Sequence, residues 1–158
     1  MALTKEQIKN SYPLPSYNYR VSIDGTTVAF SQVSGLKVSY ETTTYKESPT
    51  GGDAPGPVVM RMPAQSSDIT VTLQKGIVRG KSIALYNWIN SIQTNLVDKK
   101  DVNIELCDEN GAAVFVWKII NAFPTGLDAP TFDANSNDVA VENMDLMADW
   151  ITMSDTNL

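Results

Sequence analysis

Oxygen-bearing side chains crowd the segment 133–138, whose sequence is Asp-Ala-Asn-Ser-Asn-Asp. Asp133, Asn135 and Asn137 occupy positions 1, 3 and 5, as the first ligands of a calcium-binding loop do. Such a loop also needs a glycine at position 6 and a glutamate at position 12, where this chain has an aspartate and a methionine. No helix is predicted before the segment. We therefore predict that these side chains bond to local backbone groups and shape a turn, with no metal bound.

A second polar segment, Gly76-Ile-Val-Arg-Gly-Lys-Ser82, lies between a predicted strand and a predicted helix, as a phosphate-binding loop does. That loop needs four residues between its two glycines, so that successive backbone amides surround the phosphates. Here three residues separate the glycines, and Lys75 stands where the first glycine belongs. The preceding strand also alternates in polarity, whereas the strand of a phosphate-binding loop is apolar throughout. We predict that no nucleotide or other cofactor binds here.

Nucleophilic catalysis lacks its usual residues. The chain has no histidine, which excludes Ser-His and Cys-His pairs and imidazole metal ligands. Cys107, the only cysteine, ends an alternating strand on its polar side, and we expect an inert thiol that is packed or partly exposed. No pair among the 18 Asp and Glu residues is marked by its spacing as converging on a cleft. The chain is therefore not predicted to be an enzyme.

Length and composition are those of one globular domain. The 158 residues are 42% hydrophobic and 19% charged, so 1–158 is treated as a single domain. No apolar run reaches the roughly 20 residues of a membrane helix, and the N-terminus has no apolar signal-peptide core. A single cysteine forms no disulfide within the chain, which is typical of folding in a reducing cytoplasm.

Charge is distributed unevenly along the chain, whose net charge is −6. Residues 1–100 contain 11 Lys and Arg against 7 Asp and Glu, whereas residues 101–158 contain 11 acidic residues and one basic residue, Lys118. Two interpretations are open: a solvated acidic face, or complementary charged surfaces that steer copies of the protein into head-to-tail contact. No basic run alternates with aromatic residues, which argues against nucleic-acid binding.

Alternating polarity predicts strands in the first part of the chain. Residues 17–23 alternate, and the Asp24-Gly25 pair after them is a two-residue hairpin turn because both residues tolerate positive φ. A return strand runs through residues 28–30 and ends at Ser34-Gly35. Another strand, rich in Thr, Tyr and Val, is predicted over about 36–45.

Two segments outside these strands differ in composition. Residues 46–58 hold three prolines and three glycines, which predicts an exposed loop. Residues 1–11 form an N-terminal segment, either a short helix or an unanchored tail. Strands resume at 58–62 and 68–73, where apolar residues alternate again.

Apolar residues at three- and four-residue spacings predict one long helix over about 80–95, with Ser82 as its N-cap. Beyond it, a strand over 102–106, a turn at 108–111 and a return strand to Ile120 form a hairpin.

The segment 117–142 is predicted to be a strand, a connector with prolines at 124 and 130, and another strand. The apolar residues at 139 and 141 are out of phase with those at 144 and 146, which predicts a β-bulge near 142–143. The fold class is therefore mostly β: a sandwich or barrel of antiparallel strands with one flanking α-helix at about 80–95.

Several motifs occur in an order that resembles a known family. They are the opening strand 12–21, Phe-Ser-Gln-Val-Ser-Gly-Leu at 30–36, the strand end at 68–76, the helix 85–92, and the block 117–142 with its Asn-Ala-Phe-Pro and Val-Ala-Val-Glu sequences. Together they resemble the tail-tube proteins of contractile phage tails, and above all the inner tube subunits of extracellular phage-tail-like contractile injection systems. The resemblance covers about residues 12–153.

This resemblance implies a structural subunit without chemistry of its own. Such subunits form hexameric rings, and the rings stack into a hollow tube inside a contractile sheath for cargo delivery. The implied partners are other copies of the chain, sheath, baseplate and cap proteins, and cargo in the lumen. No nucleic acid is implied in an injection system, whereas DNA passes through a true phage tail; an isolated subunit meets no membrane. Assembly is expected in the bacterial cytoplasm, followed by a place in an extracellular particle.

Two alternatives remain open. One is a paralogue that forms only the tube-initiator ring at the baseplate. The other, from a different class, is a monomeric β-sandwich that binds a ligand; such a module is expected to expose an aromatic cluster on loops, whereas most aromatic residues here fall in predicted strands or the helix.

Two sets of residues follow from these arguments. The candidate assembly interface comprises the exposed loop and part of the N-terminal segment: Lys46, Glu47, Ser48, Pro49, Thr50, Gly51, Gly52, Asp53, Tyr12 and Pro13. The residues that carry the family resemblance are expected to be structural: Val33, Ser34, Gly35, Leu36, Trp117, Asn121, Ala122, Phe123, Pro124, Asn135 and Asn137.

Overall fold

The computed structural model describes residues 2–52, 55–80 and 82–156. This part of the chain contains two short helices and ten strands: α1 Lys5–Ser11, β1 Tyr19–Ile23, β2 Thr26–Val28, β3 Gln32–Ser34, β4 Tyr40–Glu47, β5 Val58–Ser66, β6 Ile69–Gly76, α2 Ala84–Asn90, β7 Lys100–Cys107, β8 Ala113–Asp128, β9 Val141–Ala148 and β10 Trp150–Asp155. The predicted fold class, mostly β with antiparallel strands and a flanking helix, is confirmed.

Eight strands form one antiparallel sheet in the order β2-β1-β7-β8-β9-β6-β3, with β10 also paired to β8. The two strands at the ends of this order, β2 and β3, are joined by only residues 29–31. So short a link spans at most about 14 Å. The sheet must therefore curl until its ends approach each other, which gives a barrel-like shape around one core.

The core is built by alternation along the strands. β6 and β9 pair without a register shift, and each buries every second residue, so that Leu73 and Met144 face each other with no exposed surface. Fully burying one such side chain contributes about 1.5–3 kcal/mol. The helix α2 adds Leu85 and Trp88 to this core, and the indole N–H of Trp88 donates to the carbonyl of Asp98 at 2.8 Å.

The long strand β8 joins two parts of the sheet. Its first part pairs with β7 on one side and β10 on the other, and its second part pairs with β9. Between them Asn121 adopts a φ of 55°, its backbone N–H donates to the Asp101 carboxylate, and its side-chain amide donates to that of Asp149. These bonds hold the backbone where β8 passes from one part of the sheet to the other.

The segment 117–142 differs from its prediction. β8 continues through Pro124 to Asp128, so the connector is shorter, 129–140. The predicted bulge near 142–143 is wrong: β9 pairs with β6 in continuous register, and the shift lies on β8 between Pro124 and Gly126. Proline is tolerated there because this part of β8 pairs on one side only and next to a bulge.

Helix and strand limits also need correction. The helix predicted over 80–95 is only Ala84–Asn90, and its N-cap is Ile83, not Ser82. The strand predicted over 36–45 begins at Tyr40 and ends at Glu47. The N-terminal segment does contain a helix, α1, capped by Thr4 and without buried residues. The Asp24-Gly25 turn between β1 and β2 is confirmed, with φ values of 51° and 82°.

Candidate assembly surfaces

The polar segment 133–138 forms a turn. The carboxylate of Asp133 accepts from the backbone N–H of Asn135 at 3.0 Å, and the hydroxyl of Ser136 accepts from that of Asp138 at 3.1 Å. The Asp133 bond is of the kind predicted from the sequence, in which an Asp side chain bonds to nearby backbone, and Ser136 adds a second bond of this kind. Within residues 2–52, 55–80 and 82–156, no three His, Cys, Asp or Glu side chains are grouped to hold a metal ion.

The segment 76–82 and the lone thiol also have structural roles. The Ser82 hydroxyl bonds to both the N–H and the carbonyl of Val78, which closes a small loop before α2. Cys107 is buried, contrary to its polar phase in the sequence, because the β7–β8 register shifts between Leu106 and Cys107. None of the described helices is long and apolar enough to cross a membrane.

A fully exposed part of the structure is the antiparallel pair of β4 and β5, which we call the β4–β5 ribbon. Every residue of both strands is exposed, and the two strands pair with each other rather than with the main sheet. A bond from the Ser67 N–H to the Ser39 carbonyl closes its base. A two-stranded ribbon alone is marginally stable in water, so a surface that covers this one is expected.

The two faces of the ribbon differ in chemistry. Residues directly opposite in the register share a face, and Tyr45 lies opposite Met60 while Thr43 lies opposite Met62. That face is mainly apolar and solvent-exposed, with Glu47 opposite Val58 at its tip end. The other face carries Arg61, with Val59 and Pro63 along the same strand and Lys46 across from Val59. The ribbon thus presents an apolar face and a basic face.

The candidate interface residues fall in two places. Lys46 and Glu47 end β4, residues 48–52 belong to the ribbon tip, and Asp53 lies outside the described residues. Tyr12 caps the C-terminus of α1 and is exposed, as is Pro13. In the described ranges no hydrogen bond or ion pair joins the two groups. The candidate residues therefore lie on two separate exposed surfaces.

A third exposed surface is the outer edge of β10. This strand pairs only with β8, so the backbone groups on its other side face no strand among the described residues. Met153 on this strand is 64% exposed and Trp150 is 36% exposed. Such an edge is available for pairing with another chain. No strand is predicted from the sequence at this position.

The residues that carry the resemblance mostly support the core. Gly35 has a φ of 88°, and a Cβ there would lie 2.3 Å from the Thr70 carbonyl oxygen, so only glycine lets this segment approach β6. Ala122 and Pro124 are fully buried, and Val33, Leu36 and Trp117 pack against the core. Ser34 pairs with Thr72 on β6, and Phe123 lies beneath the ammonium of Lys99. Asn135 and Asn137 stay exposed in the connector.

Charges from the two parts of the chain lie side by side. Lys9 pairs with Glu109 at 3.9 Å, Arg20 with Glu105 at 3.0 Å, and Lys99 with Asp149 at 3.6 Å. Each pair joins the basic first hundred residues to the acidic remainder. Exposed pairs contribute little stability, but the two parts of the chain partly neutralise each other.

Burial raises the pKa of the Tyr19 hydroxyl, which donates a hydrogen bond to the Phe30 carbonyl at 2.7 Å.

Glu142 is the polar residue that the sequence prediction missed. It lies on β9 in the inward phase shared by Met144 and Leu146, is only 9% exposed, and its Oε1 has no hydrogen-bond partner in the described structure. Continuing the alternation of Met144 and Leu146 by two residues toward the N-terminus would have predicted that Glu142 faces inward. The apolar Val139 obscured that phase, because it lies outside the strand and is 77% exposed.

A curled antiparallel sheet with a fully exposed ribbon and a free edge strand presents surfaces that other chains can pair with. The family described as T4-like virus tail tube protein gp19 matches residues 15–152, and the chain belongs to this family. No curated protein matches the sequence.

Three solved structures of contractile injection systems contain similar chains. A chain of the PVC sheath–tube complex in the extended state is 41% identical, with a TM-score of 0.88, 98% of this chain and 100% of that chain being covered. A chain in the anti-feeding prophage tube-terminating cap is 40% identical, with a TM-score of 0.83 and coverage of 99% and 100%. A chain of the PVC sheath/tube terminator is 43% identical, with a TM-score of 0.82 and coverage of 91% and 98%.

Proposed function

We propose that this chain is the repeating subunit of the inner tube of a contractile injection system. Six copies close into a ring, rings stack into a hollow tube inside a contractile sheath, and the tube carries cargo. The similar chains come from sheath–tube, cap and terminator assemblies of such particles. Assembly takes place in the bacterial cytoplasm before the tube becomes part of an extracellular particle, with baseplate and cap proteins at its ends.

The fully exposed β4–β5 ribbon carries this proposal. Neither of its strands contributes to the core, yet Tyr45, Met60 and Met62 are apolar on one face. A contact with a neighbouring copy would bury that face and stabilise the ribbon at the same time. The free edges of the ribbon and of β10 supply backbone groups that strands of neighbouring copies can pair.

Stacking follows from repeated contacts between unlike surfaces. A contact of one surface with a different surface on the next copy closes into a ring or grows along an axis until it is capped. The ribbon tip and the Tyr12 region are two such surfaces, separate in the subunit. We assign the ribbon tip to the contact between rings, and in this role the chain performs no catalysis.

Imaging and mass measurement of the purified protein test the proposal. We expect hexamers of about six times 17.3 kDa, and rings or tubes in negative stain. Met60→Asp should abolish them because it places a charge on the apolar ribbon face, whereas Leu96→Asp, at an exposed apolar position outside the ribbon, is the matched control. A protein that stays monomeric at high concentration would contradict the proposal and favour the monomeric ligand-binding alternative.

A second candidate is a ring at one end of the tube, including the initiator ring at the baseplate. It is favoured by the similarity to chains in cap and terminator structures, at 40% and 43% identity. Counting copies per particle separates the two: a repeating subunit increases with tube length, whereas an end ring stays constant.

A further inference from the structure

An apolar groove lies where the loop after β6 and the start of α2 face the end of β8 and the connector. It has a volume of about 640 Å³ and is lined mainly by Ile77, Val78, Ile83, Tyr86, Leu127 and Phe132. Most of these side chains are exposed, and Phe132 is 86% exposed. Contiguous apolar surface of this kind marks an interaction site. We call it the Glu142 groove, after the carboxylate that also lines it.

Glu142 indicates which ligand the groove takes. Its Oε1 is buried without a hydrogen-bond partner in the described structure. In the β6–β9 register Lys75 lies opposite Glu142, yet Oε1 of Glu142 accepts no hydrogen bond from this lysine. A buried carboxylate oxygen left unpaired is strongly unfavourable, and it is stabilised when a cation pairs with it. The carboxylate of Asp128 lines the same groove and adds negative charge.

The ligand must therefore combine an apolar stem with a cationic end. Arginine and lysine side chains have this form, because their methylene groups pack on apolar walls while the head reaches a carboxylate. A guanidinium fits best, since its planar donors can serve two carboxylates and it is more weakly hydrated than an ammonium.

Arg61 on the β4–β5 ribbon meets these requirements. It is exposed, Val59 and Pro63 flank it on the same face, and it forms no ion pair with any described residue. We propose that Arg61 of a neighbouring copy inserts into the Glu142 groove and pairs with Glu142. This inference rests on the proposed self-assembly and assigns the basic face of the ribbon a specific receptor.

Substitutions that remove one charge each test the pair. Glu142→Gln and Arg61→Gln should each keep the far-UV circular dichroism of the wild type and raise the dissociation constant for self-association at least about 30-fold by sedimentation velocity. The double variant should be no weaker than either single variant, because both remove the same interaction. Asp138→Asn and Lys37→Gln, exposed positions with the same charge changes, are the matched controls and should assemble as the wild type does.

Mixing provides a positive signal. The contact joins two different surfaces, so a mixture of the two single variants contains copies that supply an intact Arg61 to an intact Glu142. Larger species in the mixture than in either variant alone would support the pair. Additive effects of the two substitutions, or normal assembly of Glu142→Gln beside an assembling wild type, would overturn the pairing and leave the proposed function standing. A wild type that stays monomeric would overturn both.

Discussion

Replacing Gly35 by alanine should destabilise the folded subunit in two separate ways. The residue has a φ of 88°, which costs a residue with a side chain about 1–2 kcal/mol. The new Cβ would also lie 2.3 Å from the Thr70 carbonyl oxygen and 3.3 Å from the Val71 Cα, both backbone atoms of β6, which is paired with a strand on each side. Overpacking of this kind costs about 1–3 kcal/mol. The total is about 2–5 kcal/mol.

Gly25 separates the two contributions. It has a similar φ of 82°, but a Cβ there would meet nothing within 4 Å, so Gly25→Ala should lose only the conformational part. Urea unfolding of monomeric protein measures both, and a loss of about 2–5 kcal/mol lowers the melting temperature by about 4–20 °C in a domain of this size. Equal losses in the two variants would refute the argument that the approach to β6 requires glycine at position 35.

Three further outcomes follow from burial and exposure. Deleting residues 48–56 should leave the circular dichroism and the unfolding midpoint of the subunit unchanged but impair stacking of rings, because the described part of the tip lies outside the core; tubes of normal length would contradict this role. Leu146→Ala should cost about 2.7–5 kcal/mol in urea unfolding, since Leu146 is fully buried, and a loss below 1 kcal/mol would be inconsistent with that burial. Cys107 should react with a thiol reagent slowly in the native protein and rapidly in urea, and a fast native reaction would show that the thiol is accessible.

Local signals in the sequence predicted much of this fold. The Asp24-Gly25 turn could be predicted because two adjacent residues that tolerate positive φ favour a two-residue hairpin turn. The turn at 133–138 was found because Asp and Asn bond to backbone within two residues. Each signal depends on neighbours along the chain and needs no knowledge of the rest of the fold.

The features that escaped prediction depend on distant residues. Pro124 indicated the end of a strand, but it lies inside β8, at a place where pairing occurs on one side only. The inward position of Cys107 depends on a register shift against β8. Glu142 follows the phase of buried methionine and leucine residues, and its missing partner becomes evident only once the surrounding side chains are placed. Such features depend on which strands pair and in what register, and local composition determines neither.

The continuity of β8 has a mechanical consequence. Because one unbroken strand of 16 residues belongs to both parts of the sheet, those parts cannot separate or rotate without bending its backbone at the Asn121 site, which is bonded to Asp101 and Asp149. β9 and β10, which only Asp149 separates, pair along the same strand, so a relative movement of the two parts would have to distort both chains at this level. In the proposed tube, a change of length or curvature would therefore come from sliding and tilting of whole copies against one another.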